Sequence, residues 1–445
     1  MVKGMGKMGT FRFIHAADLH LDSPFRGLSD IPAAVRERLL DASFRALDSL
    51  REHALREQAA FVVVAGDVYD MADRSLRAQL RFYETACGLA EQGVGIFVVH
   101  GNHDPLQGRQ IRLDWPSGVH VFGSEQVQAV PVRDGQGRLI AVVHGISFGQ
   151  QAVTDNLALR FPAADIPAAG PGEMPLQIGL LHANVDGTPD HDNYAPCRRE
   201  DLAGRGIGYW ALGHVHTRAV LAQEPYVVYP GNLQGRSVRE TGARGCYTVT
   251  VTDGKIAKLE FAALDAVRWF RRAVSIEGLS RETELAELIE QELTTIRDEA
   301  EGRDAMVRIQ LTGRGPLHEA IRIASLREEL AGGYRSAEAE KARRGEPFLW
   351  LEQLEDQTLP ELDYELLREQ PGFLGEALRL TDRLAEDEAA LVELWEQTIA
   401  PMQHQPRLAR WLQTLKPEEQ RALLREAELL LMEQLEPAGE GEGAL

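Results

Sequence analysis

At 445 residues and 44% hydrophobic content, the chain is too long for one ordinary core and too apolar to be disordered, so two or three globular domains are expected. Its three cysteines, Cys87, Cys197 and Cys246, are odd in number and lack metal-ligand spacing, which argues against a disulfide framework. The net charge of −20 argues against a simple basic nucleic-acid binder, but residues 1–265 hold 26 Lys+Arg against 30 Asp+Glu, and residues 266–445 hold 22 against 38.

Residues 1–9 carry Lys and Gly with no apolar core to follow, unlike a signal peptide. No apolar run approaches the ~20 residues of a membrane helix, so a cytoplasmic protein without membrane contact is expected. Phe11–Ala16 reads as a buried strand running into Asp18-Leu19-His20. Residues 33–58 space Val35, Leu39, Leu47, Leu50 and Leu55 at near-helical period. A strand at Phe61–Ala65 then runs into Gly66-Asp67-Val68-Tyr69-Asp70. A helix over 75–91 follows, and a strand at Gly95–Val99 that runs into Gly101-Asn102-His103-Asp104. These βαβ units predict a central, partly parallel sheet.

Shorter strands are expected over 119–148 around the turn at 133–137, then a Pro- and Ala-rich loop at 162–175. Strands at 177–181 and 209–212 run into His182 and into Gly213-His214-Val215-His216. A strand and turn occupy 226–231, and 245–252 reads as the closing strand. Past a boundary near 265, strands at 267–277 and 305–312 flank a helix at 281–300, a small α/β unit. From about 318 the pattern is helical and acidic. Residues 416–435 place Leu423, Leu424, Leu429, Leu430, Leu431 and Leu435 on a broad apolar face. Residues 437–445 read as disordered, and no internal repeat is present.

Each motif follows an apolar run, and loops at strand ends of an α/β sheet converge on one crevice. Asp18, His20, Asp67, Asn102, His182, His214 and His216 are therefore expected at one sheet edge. Carboxylate, amide oxygen and imidazole suit borderline divalent ions and need no thiolate. Two such ions roughly 3.5–4 Å apart clamp the attacking and leaving oxygens of an in-line phosphoryl displacement. A carboxylate bridges such a pair best, and Asp67 is the candidate because Asp18 shares its turn with His20.

In order and placement these motifs resemble the calcineurin-like metallophosphoesterase superfamily. The segment 16–25, with 183–187 and 192–196, is similar to the YhaO-type branch of its DNA repair exonucleases, relatives of the SbcD nuclease subunit. The specific likeness covers residues 11–245, and beyond them it rests on layout. It implies an α/β fold with a metallophosphoesterase β-sandwich flanked by helices over 1–265. A small α/β capping domain over 266–317 would cover the cleft and select DNA shape, ahead of an acidic helical partner-binding region over 318–445. The resemblance puts Asp18, His20 and His216 on the first metal, Asn102, His182 and His214 on the second, and Asp67 on both. It makes His103 a general acid beside the scissile phosphate. Asp104 is expected to orient His103, while Asp70, where some relatives have His, would brace its loop. The implied function is a metal-dependent DNA phosphodiesterase, an exonuclease with endonuclease activity left open, acting in DNA repair with an SMC-like coiled-coil ATPase. Mn2+ is the first choice of metal, with Fe, Co or Zn as alternatives, and a homodimer is compatible.

Other residues read more plainly. His144 continues the apolar run at 139–143 as a hydrogen-bonded core histidine, and His15 is structural. His100 fits support of the third motif or strand packing equally. His191 and Asp192 lie in a polar loop, and Arg198, Arg199 and Arg205 read as solvated surface. Arg236, Arg239 and Arg244 are better placed for phosphate because they follow the metal motifs. The leucine face reads as internal core unless the tail stands apart. Two other classes compete. A small-substrate phosphoesterase, such as a cyclic-nucleotide or nucleotide-sugar hydrolase, leaves about 180 residues after 265 unexplained. A non-catalytic scaffold does not account for the full ligand set.

Overall fold

The computed structural model describes residues 9–23, 25, 31–70, 75–108, 113–162, 175–187, 192–361, 364–369, 371–399, 408, 411–412 and 414–435. His191, most of the 162–175 loop and residues 437–445 lie outside them. The strands are β1 Phe11–Ala16, β2 Phe61–Ala65, β3 Gly95–Val99, β4 Val119–Val121, β5 Gln128–Arg133, β6 Leu139–Ile146, β7 Leu176–His182, β8 Tyr209–Gly213, β9 Ala219–Gln223, β10 Tyr226–Tyr229, β11 Gly245–Thr252, β12 Lys255–Ala263, β13 Val267–Ser275, β14 Asp304–Thr312 and β15 Leu349–Asp356. The helices are α1 Ala33–Leu40, α2 Ala42–Arg56, α3 Leu76–Glu91, α4 Arg199–Leu202, α5 Glu282–Glu299, α6 His318–Arg322, α7 Ala324–Arg343, α8 Tyr364–Glu369, α9 Phe373–Glu386, α10 Glu388–Ile399 and α11 Pro417–Leu435.

Two six-stranded mixed sheets, ordered β12-β11-β1-β2-β3-β4 and β5-β6-β7-β8-β10-β9, are built from the strands between residues 11 and 263. The parallel run β1 to β3 is built by the expected βαβ crossovers, and β4 pairs parallel with β3 at its edge. Alternate residues of each central strand serve two cores, which is why these strands read as unbroken apolar runs. Phe13, Phe61, Val63, Phe97, Ile178, Tyr209 and Val228 fill the layer between the sheets. Ile14, Val62, Val64, Ile96 and Val98 face Phe44, Leu47 and Leu50 of α2 and Phe82 and Leu89 of α3. His15 is buried in the inner layer, its ring bonded to the Tyr209 hydroxyl at 3.0 Å and the Leu212 carbonyl at 3.2 Å, as a structural histidine should be. His144 likewise meets Gln177 Oε1 at 2.8 Å.

The sheet does not close at Thr252, because β12 pairs antiparallel with β11 and forms the edge. The third sheet, β13-β14-β15, draws its last strand from beyond the expected boundary at 317. The acidic segment after 318 is therefore not wholly helical. Nor does 265 separate two compact units. One comprises 1–272, 288–310 and 328–355, and the other 273–287, 311–327 and 356–445. In the first unit, Trp269, Met306, Phe348 and Trp350 share one core with Val35 and Leu39 of α1. Beside it the fully buried Asp304 pairs with Arg38 at 2.7 Å and Arg45 at 3.1 Å. Asp304→Asn should lower stability by about 1–3 kcal/mol, less than a fully buried pair would lose, because both arginines keep some solvent contact. Urea unfolding checks this, and an unchanged midpoint would show that the pair contributes nothing. In the second unit, α11 packs on α9 and α10, with Leu378, Leu391 and Met432 buried. No helix among the described residues is long and apolar enough to cross a membrane.

Candidate metal centre

The five motif-bearing strands end at one place, where glycine lets the two sheets close up. A Cβ at Gly213 would strike the Ala65 carbonyl, and one at Gly66, whose φ is +92°, would strike the His182 ring. Asp18, His20, Asp67 and His214 themselves adopt positive φ, at 50°, 41°, 50° and 101°. Such backbone costs about 1–3 kcal/mol per residue and persists where a site requires it. Local bonds hold it in place: Asp18 N–H donates to Gly66 O and His20 N–H to Asp67 O, both at 3.0 Å.

All seven expected ligands converge. His20 Nε2 and His216 Nε2 are 3.1 Å apart. His182 Nε2 lies 3.0 Å, and His214 Nδ1 3.3 Å, from Asn102 Oδ1. Asp67 Oδ2 stands between the groups, 3.3 Å from His182 Nε2 and 3.9 Å from His20 Nε2. Its Oδ1 accepts the His103 N–H at 2.9 Å. The Asp18 carboxylate accepts the His214 N–H at 3.0 and 3.1 Å. Two of the groups whose ligand atoms lie within 4.8 Å of one another are Asp18, His20, His216 and Asp18, Asp67, His182.

The far nitrogen of every histidine in the set is spoken for. His20 Nδ1 faces Asp70 at 3.1 Å, and His216 Nδ1 faces Glu240 at 2.7 Å. His182 Nδ1 donates to Ala65 O at 2.9 Å, and His214 Nε2 to Asp192 O at 2.7 Å. An oxygen acceptor there fixes the protonated nitrogen and leaves the other as a lone pair. Two lone pairs 3.1 Å apart, as on His20 and His216, repel unless a cation joins them. The residues present therefore fit a pair of divalent metals. Electrostatics agree. Burial alone would lower the His182 pKa, but Asp67 and Asp18 raise it to about 9. Burial raises the Asp18 pKa to about 6. The same carboxylates that favour a proton on His182 would favour a cation in its place.

His103 is half exposed, and its Nδ1 meets Asp70 Oδ1 at 2.5 Å. Burial opposes its charge, but the Asp70 bond and the Asp67 charge together raise its pKa. Asp104 does not take the place expected for it. Its fully buried carboxylate accepts the Val68 and Gly101 N–H groups and meets His100 Nδ1 at 2.8 Å, so it braces the turn while Asp70 orients His103. His100 is thereby part of that brace. Sequence reasoning missed Glu240, whose only signal was an acidic residue within a Gly-flanked basic segment. Asp192 acts through its carbonyl, which no side-chain pattern reveals. Among the arginines, Arg205 is spent on the carbonyls of Leu159, Phe161 and Asp201, and Arg199 on Asp186. Arg244 holds Asn232 Oδ1 and the carbonyls of His216 and Thr241. Arg236 lies 3.4 Å from Asp70 and 3.9 Å from Glu240.

Comparison with known proteins agrees with this geometry. The calcineurin-like phosphoesterase family model matches residues 11–218, and that of the metallophosphoesterase YhaO middle domain matches 269–359. The chain is 37% identical over 369 residues to the uncharacterized metallophosphoesterase YhaO of Bacillus subtilis, across 82% of this chain and 85% of that protein. It is 29% identical over 278 residues to the SbcD component of the SbcCD nuclease of Rhodobacter capsulatus, across 52% of this chain and 61% of the relative. It is 28% identical over 246 residues to the DNA double-strand break repair protein Mre11 of Aeropyrum pernix, across 53% and 56%. Strand-end ligands, paired sheets and a YhaO-type middle domain thus lead to one assignment: the chain belongs to the calcineurin-like metallophosphoesterases, in the YhaO family.

Proposed function

We propose that the chain is a two-metal phosphodiesterase that cleaves DNA in repair, as the cytoplasmic nuclease component of an assembly with an SMC-like coiled-coil ATPase and with Mn2+ as its metal. The observation that carries the reading is the convergence of seven donors beside a half-exposed His103. Two divalent ions, when bound, supply charge that acidifies a water and offsets that of the phosphoryl group. Asp18, His20 and His216 would hold one ion, Asn102, His182 and His214 the other, and Asp67 both. Asp70 holds His103 by Nδ1, which leaves Nε2 to protonate the departing oxygen. Similarity to a nuclease component and to a break-repair protein supports DNA as substrate. So does the middle domain, which a compact small-substrate hydrolase does not need.

The acidic C-terminal region is assigned to protein, because phosphate binding depends on Lys and Arg. Of the α11 leucines, Leu430 is 58% exposed while the helix packs on α9 and α10, and α9 carries two further exposed apolar positions, Phe373 and Leu380, 71% and 48% exposed. A helix with such a stripe fits an apolar groove or a coiled coil.

End-labelled single- and double-stranded DNA incubated with the full chain and Mn2+ should be cleaved, and Asp67→Asn should abolish cleavage. Hydrolysis of a small phosphodiester without DNA cleavage would favour the small-substrate class instead. Phe373→Asp combined with Leu380→Asp should abolish co-purification with the ATPase and spare cleavage. Retained co-purification would place the interface elsewhere.

A further inference from the structure

The supports behind the four ligand histidines are not alike. His20 and His216 are backed by carboxylates, Asp70 and Glu240, whereas His182 and His214 are backed by peptide carbonyls of Ala65 and Asp192. The direct ligands share the bias. The first position has Asp18 as well as the shared Asp67, and the second adds only the neutral amide of Asn102. A carboxylate behind an imidazole makes its free nitrogen a stronger donor and fixes the ring more firmly than a carbonyl does.

Glu240 is built for this task. Its Oε1 meets His216 Nδ1 at 2.7 Å and its Oε2 accepts the Arg236 N–H at 2.6 Å, so both oxygens are fixed. The turn that carries it is closed by Glu240 N–H to Ser237 O at 2.9 Å. Glycine is required at 235, where a Cβ would press on the Glu240 carbonyl. Trp269 Nε1 donates to Gly235 O at 3.1 Å, anchoring the turn to β13. The His216 carbonyl is held from the other side by Arg244. The side chain of Glu240 is only 14% exposed.

We infer that Glu240 is a positioning residue that acts through His216 to make the metal position of Asp18, His20 and His216 the tighter of the two, so that the sites fill in order. This rests on the dinuclear reading proposed above. The test is titration of the metal-depleted full chain with Mn2+, followed by calorimetry and by the electron paramagnetic resonance of bound Mn2+. Wild type should bind two ions in separable steps. Glu240→Gln, which keeps an acceptor of the same shape but no charge, should weaken the first step about 10–100-fold and leave the second little changed. Glu240→Ala should weaken it further, with the thermal midpoint of the Gln variant confirming an intact fold. If wild type binds two ions and Glu240→Gln leaves both steps unchanged, the inference is overturned and the dinuclear centre stands. Equal affinities in wild type would overturn it too. Binding of fewer than two ions by wild type would remove the dinuclear reading and this inference together.

Discussion

Asp67→Asn should strip metal from both positions at once, lowering each affinity by more than about 100-fold, since even outer partners of metal ligands are worth about 10–100-fold. The carboxylate contributes a full negative charge, and its Oδ2 lies near a nitrogen ligand of each group. An amide is neutral, and its –NH2 would face the His20 and His182 lone pairs where a cation belongs. The fold should survive, because the Asn oxygen can still accept the His103 N–H that Asp67 Oδ1 accepts now. Elemental analysis of the purified variant reads the result. Two tightly held ions per chain would mean that Asp67 is not the shared ligand.

His103→Ala should behave in the opposite way, keeping both metals and losing turnover by ~10²–10⁴-fold, the usual range for a general acid. His103 lies outside the proposed ligand set: its Nδ1 is bonded to Asp70, and its half-exposed ring sits 4.9 Å from that of His20. The loss should be smaller for substrates with a good leaving group such as nitrophenolate, which departs without a proton. A separate signature is expected from Asp70→Asn. It should reduce turnover through His103 and also weaken the first metal through His20, since one carboxylate supports both rings. Metal content and rate measured on one preparation separate these cases. Near-normal turnover of His103→Ala would reduce that residue to a structural part.

Much of this centre was legible because burial writes itself into sequence. Strands β1, β2, β3, β7 and β8 are covered on both faces, so they appear as continuous apolar runs, and each hands the chain to its candidate ligands at a fixed edge. The edge strand β12 was not legible, because Lys255, Lys258 and Glu260 face solvent and interrupt any run. Strand β15 escaped for a related reason. Its Leu349, Trp350 and Leu351 are buried, but they follow the long charged helix α7 and precede Glu352. The partners of the ligands were the hardest to see. Asp104 is next to His103 in the chain but turns back to the amides of Val68 and Gly101, while Asp70, from a different loop, reaches the imidazole. Glu240 reaches His216 only because its turn folds over the ring. Such closures depend on three-dimensional return of the chain, which spacing along it does not encode.

The most direct test of the two-metal centre is reconstitution of chelator-stripped full-length protein with Mn2+, following hydrolysis of bis(p-nitrophenyl) phosphate against bound metal. Negligible hydrolysis by the stripped protein is expected, with activity rising as a second equivalent binds and Asp67→Asn inactive throughout. Full hydrolysis by stripped protein, or saturation of activity at one equivalent, would contradict it.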